Sequence, residues 1–143
     1  MAMSEGNGEG YTEIRVNGVK LEGNLIIPEE ANGIVIFAHG SGSSRFSPRN
    51  RYVAETIRER GIATLLMDLL TKEEEARDRF TGHLRFDLEF LADRLMGARE
   101  WISQKSETQN LVAGYFGSST GGGAALIADA KEPGKVKAVV SRG

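Results

Sequence analysis

Not one of the 143 residues is cysteine, which excludes disulfides, thiolate catalysis and cysteine-based metal sites. Histidine occurs only twice, as His39 and His83, a scarcity that matters for any catalysis needing an imidazole base. Basic residues are not in excess: 18 Lys and Arg stand against 20 Asp and Glu, for a net charge of −2. There is thus no basic footprint for nucleic acid and no cationic face for a membrane. No segment approaches the ~18 consecutive apolar residues that a membrane span needs. The opening "MAMSEGNGEG" has no apolar core of the signal-peptide kind, so residues 1–10 are expected to be a flexible tail. Repeats and internal linkers are also lacking. Residues 11–143 therefore read as a single domain of a cytoplasmic protein, with an ordinary 40% hydrophobic and 27% charged residues.

What is present has a clear order. "YTEIRVNGVKLEGNLIIP" alternates around Asn17-Gly18 and predicts two antiparallel strands ending at Pro28. "GIVIFAHG" (33–40), "IATLLMDLL" (62–70) and "LVAGYF" (111–116) are continuous apolar runs, as strands buried on both faces should be. Between the first two, Ser47 and Pro48 open a helix over 48–60 that Gly61 stops. The charged "TKEEEARDRFTGH" reads as loop or frayed helix. Leu84, Leu88, Leu91, Leu95, Ala98 and Ile102 form one face of a long amphipathic helix. "GGGAALIADAK" predicts another helix, stopped by Pro133-Gly134, and "VKAVV" (136–140) a fourth apolar strand. Apolar strands alternating with helices specify a doubly wound, mostly parallel α/β sheet with an antiparallel hairpin at its start. The last strand has no helix after it, so an open, self-associating edge is expected there.

One turn carries chemistry. Gly117-Ser118-Ser119-Thr120-Gly121 fits G-x-S-x-G, with a predicted strand before it and a helix after it. Such a turn lifts a serine hydroxyl above the sheet, and flanking glycines let neighbouring chain pass without Cβ clashes. A glycine-rich βα turn of some other doubly wound protein remains the plainer alternative. Acyl transfer also needs backbone N–H groups aimed at an oxyanion. Thr120, the residue after the serine, offers one, and "FAHGSGSS" (37–44) offers the second at Gly40 or Ser41. A tight turn without a ligand is the alternative for that loop.

With "FAHGSGSSRFSPRNRYVAE", "GIATLLMDLLTKEEE", "HLRFDLEFLADRL", "GYFGSSTGGGAAL" and "VKAVVSRG", the chain resembles the dienelactone-hydrolase-like branch of the α/β-hydrolase superfamily from about residue 11 onward. The resemblance implies a hydrolase sheet of the eight-stranded type, no metal and no organic cofactor. It also implies a Ser-His-Asp mechanism on an ester, lactone or thioester bond of a small molecule, with Ser119 as nucleophile. It further implies an acid and a histidine on loops after two more strands. Here only 24 residues follow Ser119; they include Asp129 and Glu132 but no histidine. The chain is therefore expected to be the first two-thirds of such a hydrolase, with its base and acid missing and its turnover crippled.

Stand-ins have blander readings. His39 is expected to hold the oxyanion loop by hydrogen bonds and His83 to make a structural hydrogen bond. Asp129 and Glu132 belong to a solvated helix surface. Asp68, at the carboxyl edge of the sheet, either lines the pocket or caps the next loop. Arg45, Arg49 and Arg51 either attract an anionic substrate or are scattered surface charge. A non-catalytic hydrolase-like module that binds a small molecule or a protein partner is the alternative function. A nucleotide-binding protein ranks third, since neither phosphate-binding glycine fingerprint is present.

Overall fold

The computed structural model describes residues 6–143. A hairpin of β1 (Tyr11–Val16) and β2 (Val19–Ile26) comes first. Its two-residue turn, Asn17 at φ 48° and Gly18 at φ 86°, has the left-handed backbone that matches strand twist in tight hairpins. Ile14, Val16 and Leu21 are buried, while Glu13 and Arg15, which alternate with Ile14 and Val16, are exposed. Next come β3 (Gly33–Ala38), α1 (Pro48–Glu59), β4 (Ala63–Met67), α2 (Lys72–Thr81) and α3 (Leu88–Gln104). The chain closes with β5 (Val112–Ser118), α4 (Thr120–Lys131) and β6 (Ala138–Arg142).

The six strands lie in the order β1-β2-β4-β3-β5-β6. β2 pairs antiparallel with β1 and with β4, and all remaining pairs are parallel. The result is the doubly wound sheet that the alternation of elements specifies. α1 covers one face, where Ala54 meets Phe37 and Leu66. α3 and α4 cover the other, where Leu91, Leu95, Ala98, Ile102 and Ala124 meet Ile34, Ile36 and Leu65. Every residue of β4 is buried, as its unbroken apolar sequence requires. No helix among the described residues is long and apolar enough to cross a membrane.

Four local expectations are corrected. The charged stretch after β4 is a capped helix. Thr71 Oγ1 accepts from the Glu74 N–H while the Glu74 carboxylate accepts from the Thr71 N–H, and Gly82 at φ 69° closes the other end. The long helix begins at Leu88 rather than Leu84, because Asp87 caps it through the Phe90 N–H. The last strand spans 138–142 rather than 136–140; Val136 is buried in the core just before it. Finally, part of the expected loose tail lies outside the described residues, but residues 7–10 are tied down. The Asn24 amide donates to Asn7 O and Glu9 O at 2.7 and 2.9 Å, and Leu25 N–H donates to Gly10 O at 2.8 Å.

Candidate active site

β5 delivers the chain to Ser119, which holds φ 57° and ψ −122° before α4 begins at Thr120. Positive φ is uncommon outside glycine and is found where neighbouring structure over-determines it. Three ties do so here. Ser119 N–H donates to Arg142 O on β6 at 2.7 Å. Ser118 Oγ donates to Oδ1 of buried Asn50 on α1 at 3.0 Å. Gly117 and Gly121 let backbone meet backbone: a Cβ on Gly117 would strike Gly121 O, and one on Gly121 would strike Ala38 O.

Ser119 is the N-cap of α4, yet its hydroxyl makes no capping bond. A serine there ordinarily spends its oxygen on the N2 or N3 N–H. This one is exposed and its oxygen is free for other work, at the electropositive end of a twelve-residue helix. The loop after β3 passes directly beside it. A Cβ built on Gly40 would lie 3.1 Å from Ser119 Cβ and 3.2 Å from Ser118 O. The N–H groups of Gly40 and Ser41 find no acceptor among the described residues, and the Thr120 N–H, first in its helix, has none within the helix.

His39 clasps that loop from the side. Its Nε2 accepts from Leu69 N–H at 3.1 Å. Its Nδ1 therefore carries the proton and donates to Gly40 O at 2.9 Å. Both ring nitrogens are engaged, which leaves no lone pair to take a proton from Ser119. The far end of the loop is held by Arg45, only 4% exposed. Its Nη1 donates to Asp68 Oδ2 at 2.6 Å and to Glu22 Oε1 at 3.1 Å, and its Nε to Asn24 Oδ1 at 2.8 Å. Asp68 Oδ1 also accepts from Arg45 N–H at 2.8 Å, and the guanidinium stacks 4.2 Å from the Phe46 ring centre. Arg45 is thus neither an anion lure nor scattered surface charge; its charge is spent within the fold. Arg49 and Arg51 are exposed on α1.

A cavity of about 800 Å³ is lined among others by His39, Gly40, Ser41, Asp68, Arg85 and Thr120. The remaining candidates lie elsewhere. His83 is exposed and its ring bonds nothing among the described residues; only its backbone N–H does, to Thr81 Oγ1 at 3.4 Å. The structural bond expected of its ring is therefore not made. Asp129 and Glu132 follow α4 away from the turn, at a rise of about 1.5 Å per residue. Glu132 pairs with Arg99 at 3.3 Å. Near that pair the Tyr115 phenol is pushed up to about 12, chiefly by burial, so it stays neutral at working pH. No group of His, Asp and Glu able to hold a metal occurs among the described residues.

Sequence reasoning places Ser41 at the site as an oxyanion or binding residue but misses the partners of its side chain, whose hydroxyl bonds Arg85 O at 2.9 Å and Thr120 Oγ1 at 3.0 Å. The partners stand 44 and 79 residues away, so only the fold reveals them.

No family model matches the chain. Among solved structures, it is 60% identical to a dienelactone hydrolase from Anabaena variabilis, with a TM-score of 0.90, covering 92% of this chain and 61% of that one. Est1E from Butyrivibrio proteoclasticus shares the fold at 22% identity and a TM-score of 0.75, over 93% of this chain and 50% of that one. Among curated proteins, a Mycobacterium tuberculosis protein provisionally named phosphoribosyl transferase is 55% identical over 125 residues, 87% of this chain and 27% of its own length. The chain thus spans about a quarter of that relative and about three-fifths of the dienelactone hydrolase.

Proposed function

Because the chain belongs to the α/β-hydrolase superfamily, in its dienelactone-hydrolase-like branch, we propose that it carries the nucleophile and oxyanion hole of a cytoplasmic serine hydrolase. Its substrates are small molecules with an ester, lactone or thioester bond. The observation that carries this reading is the uncapped Ser119 hydroxyl on a positive-φ turn, with the Gly40 loop packed against it. Ser119 Oγ attacks the carbonyl carbon, and the carbonyl oxygen takes the negative charge. The N–H groups of Thr120 and of Gly40 or Ser41 receive that oxyanion, positioned before the reaction starts. Collapse of the intermediate expels the alcohol or thiol and leaves an acyl-serine, which water then hydrolyses.

A serine hydroxyl needs a base to become an effective nucleophile. His39 is occupied at both nitrogens, and no histidine follows Ser119 in these 143 residues. On this reading the base and its orienting carboxylate are supplied by sequence outside these residues or by nothing. Without a base, proteases that have lost their triads keep a ~10³–10⁴-fold advantage over water. The 143-residue chain should behave likewise: slow single acylation of Ser119, without efficient turnover.

Intact mass after treatment with an alkyl fluorophosphonate tests this. One adduct, lost in Ser119→Ala, is expected. Joining the residues that follow this segment in the Anabaena relative should then raise ester hydrolysis. A folded chain that stays unlabelled, with a folded extended chain that stays inactive, would overturn the reading. It would leave the non-catalytic binding module in its place, a reading favoured by the lack of a free imidazole near Ser119 among the described residues. The transferase activity named for the mycobacterial relative is not carried over, since the chain corresponds to 27% of that protein and lacks both glycine-rich phosphate fingerprints.

A further inference from the structure

The two candidate oxyanion donors come from different elements: Thr120 begins α4, while Gly40 and Ser41 belong to the loop after β3. An oxyanion hole works only if both N–H groups hold a fixed separation, since each must reach the same oxygen at about 2.7–3.1 Å. The loop is anchored at one end by His39 to Leu69 N–H and at the other by Arg45 to Asp68. Between those anchors, its side chains have one hydrogen bond to α4 among the described residues, the one that joins the Ser41 and Thr120 hydroxyls.

Counting protons fixes the direction of that bond. Ser41 has one hydroxyl proton. Arg85 O is a carbonyl and can only accept, so the 2.9 Å contact from Ser41 Oγ consumes that proton. The 3.0 Å contact between Ser41 Oγ and Thr120 Oγ1 must then use the threonine's proton. The result is a directed chain from Thr120 O–H to Ser41 O–H to the Arg85 carbonyl, in which each bond polarises the next. Its last member is itself held. Buried Asp78 accepts from Leu84 N–H at 2.7 Å and from Arg85 N–H at 3.2 Å, which pins the segment that presents the carbonyl.

We propose that this hydroxyl relay is the positioning device that sets the spacing of the two oxyanion donors, with Ser41 and Thr120 acting through side chains on the placement of backbone N–H groups. The proposal rests on the reading of Ser119 as nucleophile. It has a signature that a Thr120 hydroxyl acting independently of Ser41 would lack. Removing the Ser41 hydroxyl deletes both bonds at once, so nothing remains for the Thr120 hydroxyl to contribute.

The test is the saturation kinetics of Ser119 labelling by an alkyl fluorophosphonate, in the 143-residue chain and four variants. Ser41→Ala is expected to lower the limiting rate about tenfold, the scale of one mispositioned hydrogen bond. Half-saturating probe concentration should stay within about twofold, because the relay acts on the developing oxyanion and not on probe binding. Thr120→Val should also slow labelling, Thr120→Ser should restore it, and Ser41→Ala with Thr120→Val should be no slower than Ser41→Ala alone. Multiplying effects in the double variant, or an unchanged limiting rate in Ser41→Ala, would overturn the relay while leaving Ser119 as nucleophile. An unlabelled parent chain would overturn both. If Ser41→Ala does not fold, Thr120→Val against Thr120→Ser decides: equal rates in those two reject the relay.

Discussion

Ser119 holds φ 57° and ψ −122°, a backbone state that costs a non-glycine residue about 1–3 kcal/mol. That strain gives a residue-scale expectation separable from activity. Ser119→Gly should be more stable than Ser119→Ala by about 1 kcal/mol in chemical denaturation, because glycine adopts positive φ freely and alanine does not. Equal stabilities would mean that the turn relaxes when the side chain is replaced. Arg45 carries the opposite kind of residue effect. Replacing it by Met takes the guanidinium from Asp68 and Glu22, whose side chains are 22% and 24% exposed, and leaves them only the residue-45 backbone N–H and the exposed Lys72 ammonium. Breaking buried pairs costs about 3–5 kcal/mol, and that residual exposure points to about 3, read as a loss in denaturation free energy. The two residues also differ in how legible they are. Ser119 announces itself through a local pattern of glycines between a strand and a helix. Arg45 looks like any surface arginine of "SSRFSPRNR", because its partners Glu22, Asn24 and Asp68 come from other elements.

At the scale of elements, the apolar strands and most of α3 can be read from the sequence because burial imposes a continuous or periodic apolar pattern on them, while α1 and α4 show through their punctuation, Ser47-Pro48 with Gly61 and Pro133-Gly134. α2 escapes that logic. Of its ten residues only Asp78 is buried, so it shows no apolar stripe. Its signals are the T-x-x-E box at Thr71 and the terminal Gly82, which a reading led by hydrophobicity passes over. Polar contacts hold it: Arg94 donates through both Nη atoms to the Glu74 carboxylate at 2.8 and 2.6 Å, and through Nη1 to Leu69 O at 3.1 Å. The hydrogen bond from Arg94 holds the Glu74 carboxyl below its ordinary range, ahead of burial, which acts the other way. With the native value depressed, the carboxylate binds protons less readily in the folded state than in the unfolded one. Its stabilisation is therefore complete above the unfolded value of about 4.3. It fades as pH falls from there through the lower native value. Amide exchange over residues 72–81, corrected for intrinsic rates, should accelerate in that acid window. In Glu74→Gln it should already be fast at neutral pH, while the β3 and β5 amides stay protected in both. Exchange on α2 that ignores both pH and the substitution would show that packing, not this ion pair, holds the helix.

For the whole molecule, the two sheet edges differ in a way that bears on association. β1 presents exposed Glu13 and Arg15 along its length, and charges on an edge strand discourage pairing with another chain. β6 has no such protection before Arg142. Its Val140 is 48% exposed and shares a face of the sheet with Phe116, its register partner, and with Val112, itself 55% exposed. That face lies opposite α4, and α1, which covers the same side of the sheet, packs nearer β3 and β4 around Phe37 and Leu66. A strand edge with free N–H and C=O groups beside apolar surface is suited to pairing with its own copy about a two-fold axis, which aligns the two edges antiparallel. The 143-residue chain should accordingly sediment as a concentration-dependent mixture of monomer and dimer. Val140→Lys should shift it to monomer, because the two-fold sets the new charges close together across the junction. Glu13→Val, at the other edge, should leave the mixture unchanged if β6 is the pairing strand. A monomer at every concentration would show that the β6 edge is not a pairing surface. A dimer indifferent to Val140→Lys would move the contact elsewhere on the molecule.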